Sequence, residues 1–166
     1  DVHHLRLGFY QGDIFTEEPQ NERDVTPVLE QLREFKPTVI SLAMDPEGSG
    51  PDTHYKVLQT IAHAVRLWSQ EADLSKLRIW GYRNVWYRFD LAEADIIVPV
   101  TLNSMSILNS TFMNCYLSQK DASFPSYEYD GPFCELSQKI WVEQHHDLQL
   151  LLGRDYWYRN ENPHLR

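Results

Sequence analysis

The chain has 166 residues, which is enough for one ordinary domain with a buried core. Its composition, 42% hydrophobic, 13% aromatic and 23% charged, is typical of a folded protein rather than a disordered one. The net charge of −9 argues against a nucleic-acid interface, because an acidic surface repels phosphate backbones. Since no apolar run reaches the ~18 residues of a membrane span and no signal peptide is recognisable, we expect no membrane partner and a cytoplasmic location.

The cysteines and the start of the chain carry two further expectations. Cys115 and Cys134 belong to no CxxC pair, so we expect reduced, mostly buried thiols rather than a disulfide framework. The chain enters an apolar segment directly after Asp1, whereas natural domains usually begin with a few loose residues. We therefore expect a piece of a longer protein.

The N-terminal part of the chain is predicted to hold a strand, a loop and a helix. Residues 2–9 alternate in part between apolar and polar side chains, which is typical of a strand. Residues 11–24 are polar and are predicted to form a loop. Thr26 is the expected cap of a helix that has Pro27 at its first position and ends at Lys36-Pro37.

A second strand and a long helix follow. The β-branched apolar run 38–44 is typical of a buried strand. Residues 45–51 contain glycines and prolines and must be a loop, after which Asp52 is the expected cap of the next helix. The apolar face predicted for this helix consists of Tyr55, Leu58, Ala62, Val65 and Trp68.

The rest of the chain is predicted to contain two strands and two helices. The strands are residues 77–80 and 96–100. Thr101 is the expected cap of a helix that runs to about residue 119. An aromatic loop, residues 124–132, leads to a last helix over residues 133–152 that ends at Gly153.

The order of these elements predicts the fold class. Strands that alternate with helices favour an α/β fold with a Rossmann-like, mostly parallel sheet flanked by helices. The first strand-helix-strand unit is expected to be a right-handed crossover. We assign residues 1–166 to a single domain, incomplete at its N-terminal side.

The loop at residues 45–54 is the best candidate for a functional site. In open α/β sheets, ligands bind beyond the carboxyl ends of the strands, and here Asp45 stands at a strand tip and His54 in the first turn of the next helix. A neutral imidazole at that place can bind a metal. A catalytic zinc ion needs three protein ligands and an open position. A single histidine is therefore weak evidence for a metal site, since such a residue is more often solvated or hydrogen-bonded.

Several segments resemble one enzyme family. The strand, loop and helix around His54 resemble the LmbE/PIG-L zinc amidohydrolases, in which a His-Pro-Asp-His motif opens a helix and its last histidine binds zinc. Pro51 and Thr53 depart from that motif, which leaves the role of its first histidine unfilled. Segments 81–89, 98–100, 118–120 and 124–133 resemble the subgroup in which such a domain follows a glucosamine-6-phosphate deaminase (isomerase) domain.

The resemblance implies that this is the C-terminal part of an N-acetyl amino-sugar deacetylase-like domain. The family's other two zinc ligands and its general base come from a His-Pro-Asp-Asp motif that this chain lacks, so the chain is expected to be inactive alone. His54 would be a zinc ligand, with Asp45 either an orienting carboxylate or a loop-capping residue. Arg83 and Arg88 would contact a sugar phosphate or form surface salt bridges. The implied partner is an amino sugar or a sugar phosphate, and a homo-oligomer is also expected.

Other readings stay open. Departures from the motif favour a non-catalytic regulatory or sugar-phosphate-binding domain appended to a deaminase. A sugar-stacking platform or, alternatively, core packing is predicted for the aromatic residues Trp80, Tyr82, Trp86 and Tyr87. The histidine pairs His3-His4 and His145-His146 are not expected to bind a metal, because adjacent side chains diverge on a strand or a helix. The pair His145-His146 is expected to lie on a solvated helix face.

Overall fold

The computed structural model describes residues 2–9, 16–48, 50–83, 88–118, 120 and 131–159. A π-helical turn, Asn21–Val25, opens the regular structure, and a 3-10 turn, Leu91–Glu93, lies between β2 and α3. The helices and strands in chain order are α1 Thr26–Phe35, β1 Val39–Ala43, α2 Asp52–Trp68, β2 Arg78–Tyr82, α3 Leu102–Cys115, α4 Phe133–Leu152 and α5 Arg154–Arg159. In the described part of the chain, none of these helices combines the length and the apolar character needed to cross a bilayer.

The chain consists of two compact units. The first is Asp1–Arg88 and the second is Phe89–Arg166. The first unit holds α1, β1, α2 and β2, and the second holds α3, α4 and α5. The assignment of both units to one domain stays a prediction.

The first unit confirms the predicted α/β class. Strands β1 and β2 are parallel and in direct register, with Val39 beside Arg78 and Ala43 beside Tyr82. Because α2 lies between them in sequence, the unit is a strand-helix-strand crossover, as an incomplete Rossmann-like domain requires. Both strands were predicted from their apolar runs, and Lys36, in the left-handed region at φ 47°, ends α1 where Lys36-Pro37 was expected to end it.

The core of the first unit lies between α1, α2 and one face of the sheet. Its buried cluster consists of Val25, Leu29, Leu32, Ala64 and Trp68, and Ile40 of β1 packs against it. Val25, at the end of the turn before α1, and Leu29 and Leu32 of α1 are spaced so that they lie on one side of this helical segment. There they meet the C-terminal half of α2. The core therefore holds the two helices against β1, whose end carries the candidate site.

Two predicted strands are wrong. Residues 2–9 form no strand, although Phe9 is buried, and residues 96–100 form none either, with Val98 72% exposed. A strand is stable only when a neighbouring strand pairs with its backbone. Among the residues that the structure describes, only β1 and β2 pair with each other.

Two predictions about burial also need correction. The run 38–44 forms β1 but is not a buried strand, since Val39 is 44% exposed and only Leu42 is buried. The apolar face predicted for α2 is shifted, because Ala62 is exposed while Lys56 and Thr60 are buried. In both cases the apolar pattern predicts the right type of element. It does not predict which side chains are buried, because burial depends on neighbours that lie far away along the chain.

The predicted N-terminal caps are wrong at α1 and α2, whereas the predicted N-terminal cap of α3 and the predicted end of α4 are confirmed. Thr26 caps nothing, because residues 21–25 are already helical and the predicted loop at 11–24 ends earlier. Asp52 is the first residue of α2 and Pro51 stands at the cap position. At α3, by contrast, the Thr101 hydroxyl accepts a hydrogen bond from the Ser104 amide at 3.1 Å. Gly153, with φ 77°, ends α4 as expected.

Smaller differences concern the second unit. Helix α3 ends at Cys115 rather than near residue 119, and α5 was not predicted. No disulfide links the cysteines, of which Cys134 is buried, as expected, and Cys115 is exposed, so the prediction of burial is wrong for Cys115. Burial raises the pKa of the Cys134 thiol. The predicted aromatic loop falls outside the described residues over 124–130.

Candidate functional site

The candidate site lies at the carboxyl ends of β1 and β2. The two strands run in parallel, so their ends meet at the same edge of the sheet. The pairing extends one residue beyond β1, since the Met44 amide donates to the Tyr82 carbonyl at 2.8 Å. Asp45 and Arg83 are the residues that follow directly after this contact.

Asp45 is buried beneath the loop that it opens. Its side-chain oxygen accepts a hydrogen bond from the Gly50 amide at 2.7 Å, and its carbonyl accepts one from the Gly48 amide at 3.1 Å. Gly48 has φ 64°, a left-handed conformation that costs glycine little and other residues more. The carboxylate of Asp45, 2% exposed as a residue, thus closes the loop, as a loop-capping residue would. Its role as an orienting carboxylate near a metal stays a prediction.

Arg83 is brought to the same loop from the end of β2. Its guanidinium donates two hydrogen bonds to the Glu47 carboxylate, at 2.6 and 3.0 Å, and lies 4.0 Å from a side-chain oxygen of Asp45. The pairing with Arg83 lowers the pKa of Glu47. Only 11% of the Arg83 side chain is exposed, whereas the Glu47 side chain is 47% exposed, so the guanidinium is sheltered while its carboxylate partner faces solvent. Its role in substrate binding stays a prediction.

His54 is the third residue of α2 and is half-buried. Its backbone amide donates to the Pro51 carbonyl at 2.9 Å, which closes the first turn of the helix. A zinc centre needs three protein ligands. Across the described ranges, no group of three His, Cys, Asp or Glu side chains is placed to hold a metal ion. His54 as a zinc ligand stays a prediction.

The structure shows a buried lysine that the sequence analysis missed. Lys56, 5% exposed, lies one turn after Asp52, and its ammonium group is 2.9 Å from the Asp52 carboxylate. It also donates to the Thr16 hydroxyl at 2.7 Å and lies 3.3 Å from the Glu18 carboxylate. The hydrogen bond with Asp52 raises the pKa of Lys56 and keeps the amine charged. The spacing of four residues between Asp52 and Lys56 could have predicted their ion pair from the sequence, but nothing in the sequence indicates the contact of Lys56 with Thr16.

A second missed residue is Asp24, which is fully buried. One carboxylate oxygen accepts the amides of Gly8 and Phe9, at 2.6 and 3.1 Å, and the other accepts the Gln20 amide at 2.8 Å and the Arg23 guanidinium at 3.0 Å. Burial by itself would raise the pKa of Asp24, but these hydrogen bonds outweigh it and the pKa is lowered. Asp24 thereby fixes residues 8–9 to the start of the first helical segment.

The remaining candidates lie on the surface. Arg88 is exposed, and its contact with a substrate stays a prediction. Trp80 and Tyr82 are 48% and 54% exposed, so the prediction that they pack in a core is wrong, while the prediction of a sugar-stacking platform stays open. Trp86 and Tyr87 lie outside the described residues. His145 and His146 are exposed, as expected, and His3 and His4 are exposed as well.

Comparison with known proteins gives one informative match. The chain is 30% identical over 128 residues to a "putative glucosamine-6-phosphate deaminase-like protein" of Bacteroides thetaiotaomicron. The match covers 74% of this chain but only 19% of the relative, so the chain spans about a fifth of that protein's length. No family model matches the chain, and no solved structure matches it significantly. Over most of its length, the chain is thus similar to a region of a glucosamine-6-phosphate deaminase-like protein.

Proposed function

We propose that this chain forms part of an α/β domain, in a glucosamine-6-phosphate deaminase-like protein, that acts on an amino sugar or its phosphate. The observation that carries the proposal is the similarity to the Bacteroides protein, which covers 74% of this chain. The polar cluster at the ends of β1 and β2 supports it, because ligands of open parallel sheets bind at that edge. The activity that we propose on amino sugars is that of the whole protein to which this chain belongs.

The proposed role of Arg83 is to meet the phosphate of the sugar. A guanidinium presents two parallel N–H groups that match a phosphate as well as a carboxylate. Glu47 occupies this fork in the structure, and its carboxylate is about half-exposed, so it can move into water and leave the fork to a phosphate. Asp45 stays beneath the loop and keeps Arg83 in place. Arg88 would supply a second, exposed charge.

The proposed reaction class is zinc-dependent hydrolysis of an amide of an amino sugar, the deacetylase type. His54 would supply one ligand, and the other ligands would come from outside the described residues. The half-buried position of His54 at the start of α2 is compatible with this role. When bound, zinc would supply an activated water and would polarise the amide carbonyl.

A non-catalytic sugar-phosphate-binding domain is the second candidate. Pro51 and Thr53 favour it, because they stand at positions where the zinc family has a histidine and an aspartate. In this candidate, Arg83 binds the phosphate and His54 binds no metal.

One experiment on the full-length protein that carries this region separates the two candidates. His54→Ala and Arg83→Lys are compared with two control variants of α2 outside the site, His63→Ala and Arg66→Lys. Zinc content is measured by mass spectrometry, and glucosamine 6-phosphate affinity by calorimetry. We expect His54→Ala alone to lose zinc, and Arg83→Lys alone to bind the sugar phosphate at least about tenfold more weakly, because lysine cannot form the bidentate contact.

Each outcome decides one part of the proposal. Equal zinc content in all four variants would contradict His54 as a ligand and would favour the non-catalytic candidate. Unchanged sugar-phosphate affinity in Arg83→Lys would contradict the phosphate site. Hydrolysis of N-acetylglucosamine 6-phosphate by the wild type, and its loss in His54→Ala, would eliminate the non-catalytic candidate.

A further inference from the structure

The guanidinium of Arg83 lies close to two carboxylates of the loop after β1, and these differ in how firmly they are held. A side-chain oxygen of Asp45 is 4.0 Å from it, and this buried carboxylate is fixed by the Gly50 amide at 2.7 Å. The Glu47 carboxylate accepts two hydrogen bonds from the guanidinium, at 2.6 and 3.0 Å, but its side chain is about half-exposed. Glu47 is therefore the carboxylate that can leave Arg83 for water at the lower cost.

A second bidentate pair in the same unit shows what is particular to this one. Arg33 donates to the Glu71 carboxylate at 2.6 and 2.9 Å, and Glu71 is 40% exposed, which is close to the exposure of Glu47. The two cations differ, because the Arg33 side chain is 49% exposed and the Arg83 side chain only 11%. Water can solvate Arg33 when its carboxylate leaves, but it reaches little of Arg83. The fork of Arg83 is thus costly to leave without an anion.

A phosphate and Glu47 cannot share the fork of Arg83. Glu47 already accepts from the parallel N–H groups that would meet a phosphate. The hydrogen bonds with Arg83 lower the pKa of Glu47, and the nearby charge of Asp45 works against them. The same charge of Asp45 opposes a further anion beside Glu47. A phosphate must therefore displace Glu47 rather than bind next to it.

We propose that Glu47 is an internal competitor at this anion site and makes the site selective for phosphates over carboxylates. The loop keeps the Glu47 carboxylate near the fork, which gives it a high effective concentration there. A free ligand with a single carboxylate gains no stronger contact by the exchange and loses its translational freedom. A phosphate monoester carries about −1.5 to −2 charges near pH 7 and three acceptor oxygens, so it can displace Glu47.

This inference rests on one part of the proposed function, namely that Arg83 binds the phosphate of the sugar. It adds a role for Glu47 and is independent of zinc. Variants of the two residues separate the two claims, because Arg83→Lys tests the phosphate site and Glu47→Gln tests the competition.

The test measures ligand affinity in the full-length protein that carries this region. Glu47→Gln removes the charge of the competitor and keeps its size. Glu71→Gln is the matched control, since it makes the same change of net charge in a pair of the same geometry. Glucosamine 6-phosphate and glucuronate, a sugar whose sixth carbon is a carboxylate, are titrated by calorimetry. Circular dichroism checks that each variant is folded.

We expect Glu47→Gln to bind glucosamine 6-phosphate at least about fivefold more tightly than the wild type, because the phosphate no longer displaces a charged competitor. Glucuronate is expected to bind measurably to Glu47→Gln and not to the wild type. Glu71→Gln is expected to match the wild type for both ligands, because its guanidinium partner is solvated and lies outside the candidate site.

Three outcomes would overturn the inference while the phosphate site remains. The first is equal or weaker binding of glucosamine 6-phosphate by Glu47→Gln, together with weaker binding by Arg83→Lys. The second is an equal gain in Glu47→Gln and Glu71→Gln, which identifies net charge as the cause. The third is the same result for glucuronate in the wild type and in Glu47→Gln. Equal affinity for glucosamine 6-phosphate in the wild type, Glu47→Gln and Arg83→Lys would contradict the phosphate site itself, and the inference with it.

Discussion

Asp24 is the residue whose contacts most constrain the N-terminal part of the fold. A buried carboxylate is costly unless hydrogen bonds compensate for the lost water. Three backbone amides and the Arg23 guanidinium do so, and they come from residues 8, 9, 20 and 23. The side chain thus joins a non-regular segment to the helical turn at Asn21–Val25.

Asp24→Asn is expected to lower the free energy of unfolding by about 3 kcal/mol at pH 7, because the new amide group faces the Gln20 N–H and the Arg23 guanidinium. Since the folded pKa of Asp24 is lower than its ordinary value near 3.8, its contribution to stability is present above that pH. That contribution is lost as the pH falls through the folded pKa. Urea unfolding across this range should therefore show the gap between wild type and variant closing in acid.

Asp73→Asn is the matched control for this prediction. Asp73 also accepts a backbone amide, from Ser75 at 2.9 Å, but it lies on the surface. We expect a clearly smaller loss of stability, since water can replace the lost contact. Equal losses in the two variants at pH 7 would show that the buried network around Asp24 contributes nothing beyond an ordinary loop contact.

At the scale of single elements, α3 depends on local interactions. No residue of α3 is buried, although the Gln138 side chain of α4 donates to the Met105 carbonyl at 3.3 Å, so local interactions, its cap among them, contribute more to the stability of α3 than burial does. Thr101 stands at the cap position in an extended conformation, and its hydroxyl accepts the Ser104 amide. This is the arrangement in which a threonine satisfies one of the free amides at the start of a helix.

Thr101→Ala is expected to reduce the stability of α3 by about 1 kcal/mol, because the Ser104 amide loses its acceptor. Amide hydrogen exchange at residues 104–106 measures the effect directly. The same substitution at Thr111, which is exposed within α3, removes no cap and replaces a weaker helix former. Faster exchange is expected for the first variant and slower exchange for the second. A change of the same sign in both would exclude the cap as the cause.

At the scale of the whole molecule, the two units differ in what is buried. The core cluster from Val25 to Trp68 lies entirely within Asp1–Arg88. The second unit buries fewer large side chains among its described residues, chiefly Leu136 and Ile140 of α4. Because apolar burial is the main source of stability, the first unit is expected to be the more stable one.

We predict that residues 1–88, produced alone, unfold cooperatively in urea, whereas residues 89–166 give a broad transition. Tryptophan fluorescence follows the first fragment through Trp68, and far-ultraviolet circular dichroism follows the second. A broad transition for residues 1–88 would show that the cluster of α1 and α2 does not suffice as a core. The intact chain serves as the reference for both fragments.

Much of the fold was predictable because local rules apply to it. Helices α1, α2 and α4 follow from apolar periodicity, and the ends at Lys36, Thr101 and Gly153 follow from cap chemistry. The two strands follow from their β-branched and aromatic runs, and their alternation with helices predicts the parallel α/β class. Of the candidate site, the sequence by itself determined the place: a loop at the tip of a strand, opened by Asp45 and followed by His54.

Only the tertiary structure decided what each of these residues contacts. Residues 2–9 and 96–100 have strand-like composition, but a strand exists only where a distant segment pairs with it. The burial of Asp24 and Lys56 depends on contacts with residues 15 to 40 positions away along the chain. The hydrogen bonds between Arg83 and Glu47 likewise join residues that lie far apart in the sequence. Periodicity and capping describe neighbours along the chain, whereas pairing, burial and ionic partners are set by residues that only folding brings together.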